Sequence, residues 1–143
     1  MAPRRLVFLS DVHIGANTPV NWYQASVHEP YLAAALSYIL DTVGEINELI
    51  VLGDLFDLWT YLPGQAPTTF QQVLQANPKI FGGPGQVGLL QQVLGLLRGP
   101  VTFLNGNHDM TVTQADLDMI QGHDGSTMQR LDAMTYAPPG GGA

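Results

Sequence analysis

The chain has no cysteine among its 143 residues, so it can form neither disulfides nor thiolate metal sites. Charged residues are also scarce: they make up 12% of the chain, about half the share that is typical of a soluble domain. Only five are Lys or Arg, against twelve Asp or Glu. Because nucleic-acid backbones are bound largely by clustered basic side chains, this shortage argues against broad nucleic-acid binding.

Long apolar runs are missing as well. The longest candidate, Tyr31 to Val43, is interrupted by Ser37 and Asp41, whereas a membrane-spanning helix needs about 20 apolar residues. The basic residues at positions 4 and 5 precede only four apolar residues, too few for the core of a signal peptide. We therefore expect a cytoplasmic protein without a membrane span.

What the chain does have is a repeated order of short apolar runs, polar motifs and helical stretches. The runs at 6–9, 49–52 and 101–104 suit buried strands. Apolar residues at helical spacing predict a helix that opens at Glu29-Pro30 and stops near Gly44, and a second helix over 88–97. Strands that alternate with helices predict an α/β fold with a mostly parallel sheet.

The same pattern gives the domain organisation. Residues 1–125 are predicted to form the N-terminal part of one domain, and residues 126–143 a disordered tail that ends in Pro and Gly. A literal Gly-x-Gly-x-x-Gly spans 83–88, but no good strand leads into it. We interpret it as a loop and predict no dinucleotide site.

A polar motif follows each of the three apolar runs. In parallel sheets the carboxyl ends of the strands meet at one edge, where ligands gather. The motifs should therefore lie close together. They are Asp11-Val12-His13, Gly53-Asp54-Leu55-Phe56-Asp57 and Asn105-Gly106-Asn107-His108-Asp109.

The residue types in these motifs suit a metal site. Asp11 and His13 can converge if the strand breaks its alternation, and a carboxylate with an imidazole suits Mn, Fe or Zn. Asp54 could bridge two cations, and Asn107 offers a neutral oxygen to the second. Alone, each motif could instead be a loop cap or tight turn. Three such motifs, each behind an apolar run, favour the metal site.

With their flanking residues, the motifs resemble the first three signature blocks of calcineurin-like metallophosphoesterases. The resemblance covers residues 4–110 and rests on 8–13, 52–59 and 105–109. It implies a fold of two packed sheets flanked by helices, with a two-metal site at one edge. The second half of that sandwich does not fit in the residues after 110, so a partial sandwich is expected.

By this resemblance Asp11 and His13 bind the first of two divalent metal ions, Asp54 bridges both and Asn107 binds the second. Mn is the expected metal, with Fe and Zn as alternatives. The implied reaction is hydrolysis of a phosphate ester or pyrophosphate by an activated hydroxide. The implied substrate is a phosphorylated small molecule or a nucleotide-type molecule.

The remaining implied roles are catalytic. His108 would assist the leaving group or stabilise transition-state charge, and Asp109 would hold the His108 ring. The Asp54 to Trp59 stretch is similar to UDP-2,3-diacylglucosamine pyrophosphatases. That subgroup commonly has Arg where this chain has His108, so the substrate stays open.

The family normally supplies further histidine ligands, including a Gly-His-x-His block, after the third motif. Here only His123 follows, and we interpret it as a loop residue. The second metal site should then be incomplete and one sheet face exposed. A homo-oligomer, a completing segment or a truncated reading frame would each account for this. The alternative function is a catalytically impaired fragment or a metal- or partner-binding module.

Some residues near the motifs have more than one interpretation. Asp57 is expected to support a ligand rather than to bind metal. Trp59 could line a substrate cleft or pack under its own loop. Trp22, Tyr23 and His28 follow the first motif, and we interpret them as surface-loop residues rather than substrate contacts.

Overall fold

The structure is a computed structural model that describes residues 4–134. Its four strands form one sheet in the order β1-β2-β3-β4, and each neighbouring pair is parallel. The predicted α/β fold with a parallel sheet is therefore confirmed, and the three predicted strands are found within one residue. The strands are β1 (Leu6–Leu9), β2 (Glu48–Leu52), β3 (Val101–Leu104) and β4 (Gln129–Leu131).

Helices provide the connections between these strands. Within residues 4–134, no helix is long and apolar enough to cross a membrane. The helices are α1 (Ala25–Asp41), α2 (Phe70–Ala76), α3 (Pro78–Phe81), α4 (Leu89–Leu96) and α5 (Gln114–Leu117), and a 3-10 turn (Val43–Glu45) follows α1.

The start of α1 differs from the prediction. The helix begins at Ala25 rather than at Glu29, so Pro30 lies inside it. The reason is a distant contact: the backbone N–H of Ala25 donates to Asn17 Oδ1 at 2.8 Å. This contact gives a hydrogen-bond partner to one of the N–H groups in the first turn, which have no partner within the helix. Local sequence signals did not predict the contact.

The core lies on the face of the sheet that carries α1 and α4. Register aligns Leu9, Val51 and Phe103 on this face, where they join the apolar cluster formed with the helices. Side chains alternate along a strand, so Phe8 and Leu52 point to the opposite face, where they are 54% and 48% exposed. Ile50 and Thr102 lie on the same face and are buried, so this face exposes apolar side chains only in part.

The C-terminal strand corrects the predicted tail. Met128 is fully buried and residues 129–131 form β4 beside β3, inside the segment 126–143 that was expected to be disordered. The domain therefore continues past residue 125. Residues 135–143 of that segment lie outside the described residues.

The Gly-x-Gly-x-x-Gly segment forms a tight turn, in which Gly83 and Gln86 exchange two backbone hydrogen bonds. The element before it is α3 rather than a strand. This arrangement lacks the strand-turn-helix unit of a dinucleotide site.

A buried asparagine fixes the loop that follows β1. Asn77 is fully buried, and its Nδ2 donates to the backbone oxygens of Gly15 and Val73, each at 2.8 Å. Its Oδ1 accepts from Asn17 Nδ2 at 3.0 Å. The loop that begins with the first motif is thereby attached to α2.

We predict that Asn77→Ala lowers the free energy of unfolding by roughly 2 kcal/mol, because it leaves buried hydrogen-bonding groups without a partner. Urea denaturation followed by circular dichroism measures the change. Gln75→Ala, at an exposed position of α2, is the matched control and should change stability by less than about 0.5 kcal/mol. Equal effects of the two substitutions would contradict the role of Asn77.

Candidate metal centre

The first two motifs are joined by backbone hydrogen bonds beyond the ends of β1 and β2. The N–H of His13 donates to the Asp54 oxygen and that of Ile14 to the Leu55 oxygen, both at 2.9 Å, and the Asp11 N–H reaches the Gly53 oxygen at 3.2 Å. The pairing of the two strands therefore continues into their loops. It fixes the motifs against each other before any side chain contributes.

Three of the predicted metal ligands have left-handed backbone conformations. The φ angles are 57° at Asp11, 59° at His13 and 54° at Asp54. Such values are rare outside glycine and cost roughly 1–3 kcal/mol each, and they concentrate at functional sites. The turns break the strand alternation as the sequence analysis required, so Asp11 and His13 can point to the same place.

The three side chains converge on one point. His13 Nε2 lies 3.7 Å from Asp11 Oδ1 and 3.8 Å from Asp54 Oδ2, and one ligand atom from each residue lies within 4.8 Å of the others. His13 and Asp54 are buried, whereas Asp11 faces solvent. We name this group the Asp11–His13–Asp54 cluster. It could hold a metal ion, and its oxygen and nitrogen donors suit a hard or borderline cation.

The second carboxylate oxygen of Asp54 contacts the third motif. Asp54 Oδ1 accepts from the backbone N–H of His108 at 2.9 Å. A Cβ at Gly106 would lie 2.2 Å from the same oxygen, so only glycine fits there. Gly53, at φ 81°, lies against Gly106 as well. The two glycines thus let the second and third motifs approach closely enough to share Asp54.

Asp109 links these two motifs from inside the protein. Its fully buried carboxylate accepts backbone N–H groups from Gly106 at 2.7 Å, Asp54 at 3.2 Å and Phe56 at 3.3 Å. Burial raises the pKa of Asp109 above its usual value, although these hydrogen bonds lower it, and the nearby Asp54 charge raises it further. The prediction that Asp109 holds the His108 ring is wrong, because its carboxylate is occupied by backbone groups.

The residue that contacts the His108 ring is Asp57. His108 Nδ1 lies 3.2 Å from Asp57 Oδ2, and His13 Nδ1 lies 3.8 Å from the same atom. Burial raises the pKa of Asp57, but hydrogen bonds from the Thr60 side chain and the Trp59 N–H, together with His108, bring it below its usual value. Asp57 therefore supports two imidazoles, which fits its predicted supporting role. These three residues also form a second group that could hold an ion.

The electrostatics of the site favour a bound cation. Asp11, Asp54 and Asp57 lie around two imidazoles, and within residues 4–134 no Lys or Arg forms an ion pair with these carboxylates. The buried Nδ1 atom of His13 has no hydrogen bond to any described residue, and that of His108 lies 3.2 Å from the Asp57 carboxylate. Buried charges are ordinarily paired or bound to metals, so a cation would compensate this concentration of acidic groups.

The remaining predicted residues lie at the margin or outside. Asn107 is exposed between Gly106 and His108, and its side chain makes no hydrogen bond within the described part of the chain. His123 is exposed and packs beside Gly95 of α4, and His28 contacts the N–H of Gln24. Neither histidine belongs to either candidate group, so His123 is a loop residue as expected.

The sequence analysis underestimated Trp22. Its ring centroid lies 4.7 Å from that of His13 and 4.9 Å from that of His108, and Trp59 lies 5.8 Å from His108. Both tryptophans are about half exposed or more. No local pattern identifies Trp22, because its position over the two imidazoles depends on the path of the loop 14–24.

Comparisons with known proteins identify no relative: no family model matches the chain, and no curated protein matches its sequence.

We predict that Asp109→Asn lowers the free energy of unfolding by roughly 1–3 kcal/mol. One buried backbone N–H would then face the NH2 group of the Asn side chain, which cannot accept a hydrogen bond. Urea denaturation checks this value. Asp41→Asn, at the exposed end of α1, is the control and should leave stability nearly unchanged. An unchanged midpoint for Asp109→Asn would contradict the linking role of its carboxylate.

We also predict that the chain binds Mn²⁺ with a defined stoichiometry. Calorimetric titration should show that Asp54→Asn weakens this affinity at least tenfold, because it removes the most enclosed carboxylate ligand. Asp41→Asn should bind Mn²⁺ like the unmodified chain. Equal affinities for the Asp54→Asn and Asp41→Asn variants would show that the ion binds elsewhere.

Proposed function

We propose that this chain is a calcineurin-like metallophosphoesterase that hydrolyses a phosphate ester or a pyrophosphate bond. The observation that carries the proposal is the convergence of Asp11, His13 and Asp54, each with a left-handed backbone, beside His108. Strained polar residues around a shared point are expected where a site must be preorganised. An ordinary turn does not require three such residues together.

In this proposal the metal ligands are those that the resemblance implies. Asp11 and His13 would hold the first ion, Asp54 would be a ligand of both ions, and Asn107 would be a ligand of the second. The exposed position of Asn107 leaves its carbonyl oxygen accessible for this role. Mn²⁺ suits the donor set best, with Fe and Zn as alternatives. When bound, the two cations supply an activated water and positive charge for the phosphoryl oxygens.

His108 is the proposed group for handling a proton. Its Nδ1 faces Asp57 at 3.2 Å, which leaves Nε2 as the nitrogen able to meet a substrate. The Asp57 carboxylate fixes the orientation of the ring and stabilises its protonated form. His108 can therefore donate a proton to the leaving oxygen or stabilise charge in the transition state.

The acidic character of the chain makes the metal necessary for this function. Its net charge is −7, and the site itself contains several carboxylates and no Lys or Arg among the described residues. A phosphate would be repelled unless bound cations reverse the local field. The proposed substrates are phosphorylated small molecules or nucleotide-type molecules.

A second candidate is a metal-binding module without catalysis. It is favoured by one observation: within residues 4–134, His28 and His123 join neither candidate group. The second ion would then have Asp54 and Asn107 as its described ligands. Because affinity grows with the number of ligands, this ion would bind more weakly than the first.

The two candidates are separated by an assay with phenyl phosphate in Mn²⁺, with bound metal measured on the same samples. We predict turnover that falls at least a hundredfold in Asp54→Asn, because this variant loses a metal ligand, and in His108→Ala, because positioned acid-base groups contribute about 10²–10⁴. Asp41→Asn should retain the original rate. Removal of metal by a chelator should abolish turnover, and Mn²⁺ should restore it.

Metal binding that depends on Asp54, without turnover above the Asp54→Asn variant, would contradict the enzyme and support the binding module. Absence of both binding and turnover would contradict both candidates. Turnover that does not change in Asp54→Asn would indicate a contaminating phosphatase.

A further inference from the structure

A groove of about 440 Å³ opens beside the Asp11–His13–Asp54 cluster. Asp11 and His13 line this groove and also belong to the cluster, so the two spaces share a wall. A molecule whose phosphoryl group lies at the cluster can therefore extend directly into the groove. The volume falls in the range of small-molecule sites, about 300–1,000 Å³.

The lining of this groove is mostly apolar. It contains no Lys or Arg, and its single carboxylate is Asp11. The imidazoles of His13 and His28 are its other polar groups, so a second phosphate would find no Lys or Arg there and would lie close to that carboxylate. The groove therefore suits an uncharged part of a substrate. The apolar and aromatic lining residues are Leu9, Val12, Trp22, Tyr23, Tyr31, Leu32 and Ala35.

Two large aromatic side chains distinguish the groove from an ordinary apolar depression. Tyr31 is 77% exposed on α1, and Trp22 is 60% exposed in the loop opposite. The indole of Trp22 is held by its contacts with the rings of His13 and His108. Tyr31 contacts no other aromatic ring among the described residues. The groove thus offers a ligand two exposed aromatic side chains. Trp22 is held by other rings, and Tyr31 has no ring contact among the described residues.

We propose that this groove is the subsite for the leaving group and that it takes a neutral planar aromatic ring. The inference rests on the proposed function, because the phosphoryl group must lie at the cluster. Aromatic rings pack favourably at centroid separations of 4.5–7 Å, and small-molecule pockets are lined predominantly by hydrophobic and aromatic side chains. An aliphatic chain would gain burial but not these ring contacts.

The kinetic test compares 2-naphthylmethyl phosphate (the naphthyl ester), decyl phosphate and methyl phosphate in Mn²⁺, because all three are alkyl esters with leaving groups of similar reactivity. We expect kcat/KM to follow the order naphthyl, decyl, methyl. Tyr31→Ala should lower kcat/KM for the naphthyl ester about tenfold, mainly through KM, since one aromatic contact corresponds to roughly a factor of ten. It should leave methyl phosphate unchanged. Tyr31→Phe, which keeps the ring, should retain the naphthyl preference.

Tyr38→Ala is the matched control, because Tyr38 is an exposed tyrosine two turns further along α1 and does not line the groove. A Tyr31→Ala effect that is equal for methyl and naphthyl phosphate would indicate a structural role and overturn the proposal. Preference for decyl over naphthyl phosphate would overturn the aromatic class in favour of an aliphatic one.

A binding test separates this inference from the proposed function. The chain has two tryptophans, so Trp59→Phe leaves Trp22 as the single indole probe. We expect naphthylmethylphosphonate to quench Trp22 fluorescence in Mn²⁺, and Tyr31→Ala to weaken that binding about tenfold. Quenching without hydrolysis of any ester would retain the subsite and reject the enzyme. Hydrolysis without Tyr31-dependent quenching would retain the enzyme and reject the subsite.

Discussion

The buried carboxylate of Asp109 holds the candidate site together. It accepts backbone N–H groups of Gly106, Asp54 and Phe56, and it thereby fixes the loop after β2 against the loop after β3. Asp54 has a strained backbone, and such a conformation persists only where the surrounding structure enforces it. The position of the central carboxylate, and with it the shape of the metal centre, therefore depends on a residue that need not touch any ligand.

Two acidic residues, Asp109 and Asp57, have separate roles at the site. Asp109 is occupied by backbone groups, and Asp57 is the carboxylate beside the His108 ring. Their environments differ accordingly. Burial leaves the pKa of Asp109 raised, whereas the hydrogen bonds of Asp57 outweigh its burial and lower its pKa. Asp57 is consequently the one better suited to face an imidazolium, because its charged form is the favoured one.

The residues around the cluster bear on which substrates the proposed enzyme would bind. Among the described residues no Lys or Arg pairs with the carboxylates, so bound cations would be the source of positive charge for a phosphate. The apolar groove beside Asp11 and His13, with Tyr31 at its mouth, then favours a neutral group on the substrate. The charge of the metal ions would bind the phosphoryl group. Contacts with the aromatic side chains would select the leaving group of the ester.

The sequence by itself determined the three main strands, the helix over 89–96 and the proximity of the first two motifs, because apolar runs and strand ends are local signals. Tertiary structure decided the rest. The start of α1 depends on Asn17, the strand β4 on pairing with β3, and the partner of His108 on how two loops meet. The position of Trp22 over the imidazoles is of the same kind. Each is a contact between residues outside one helix or strand, and the pattern within a single element does not specify such contacts.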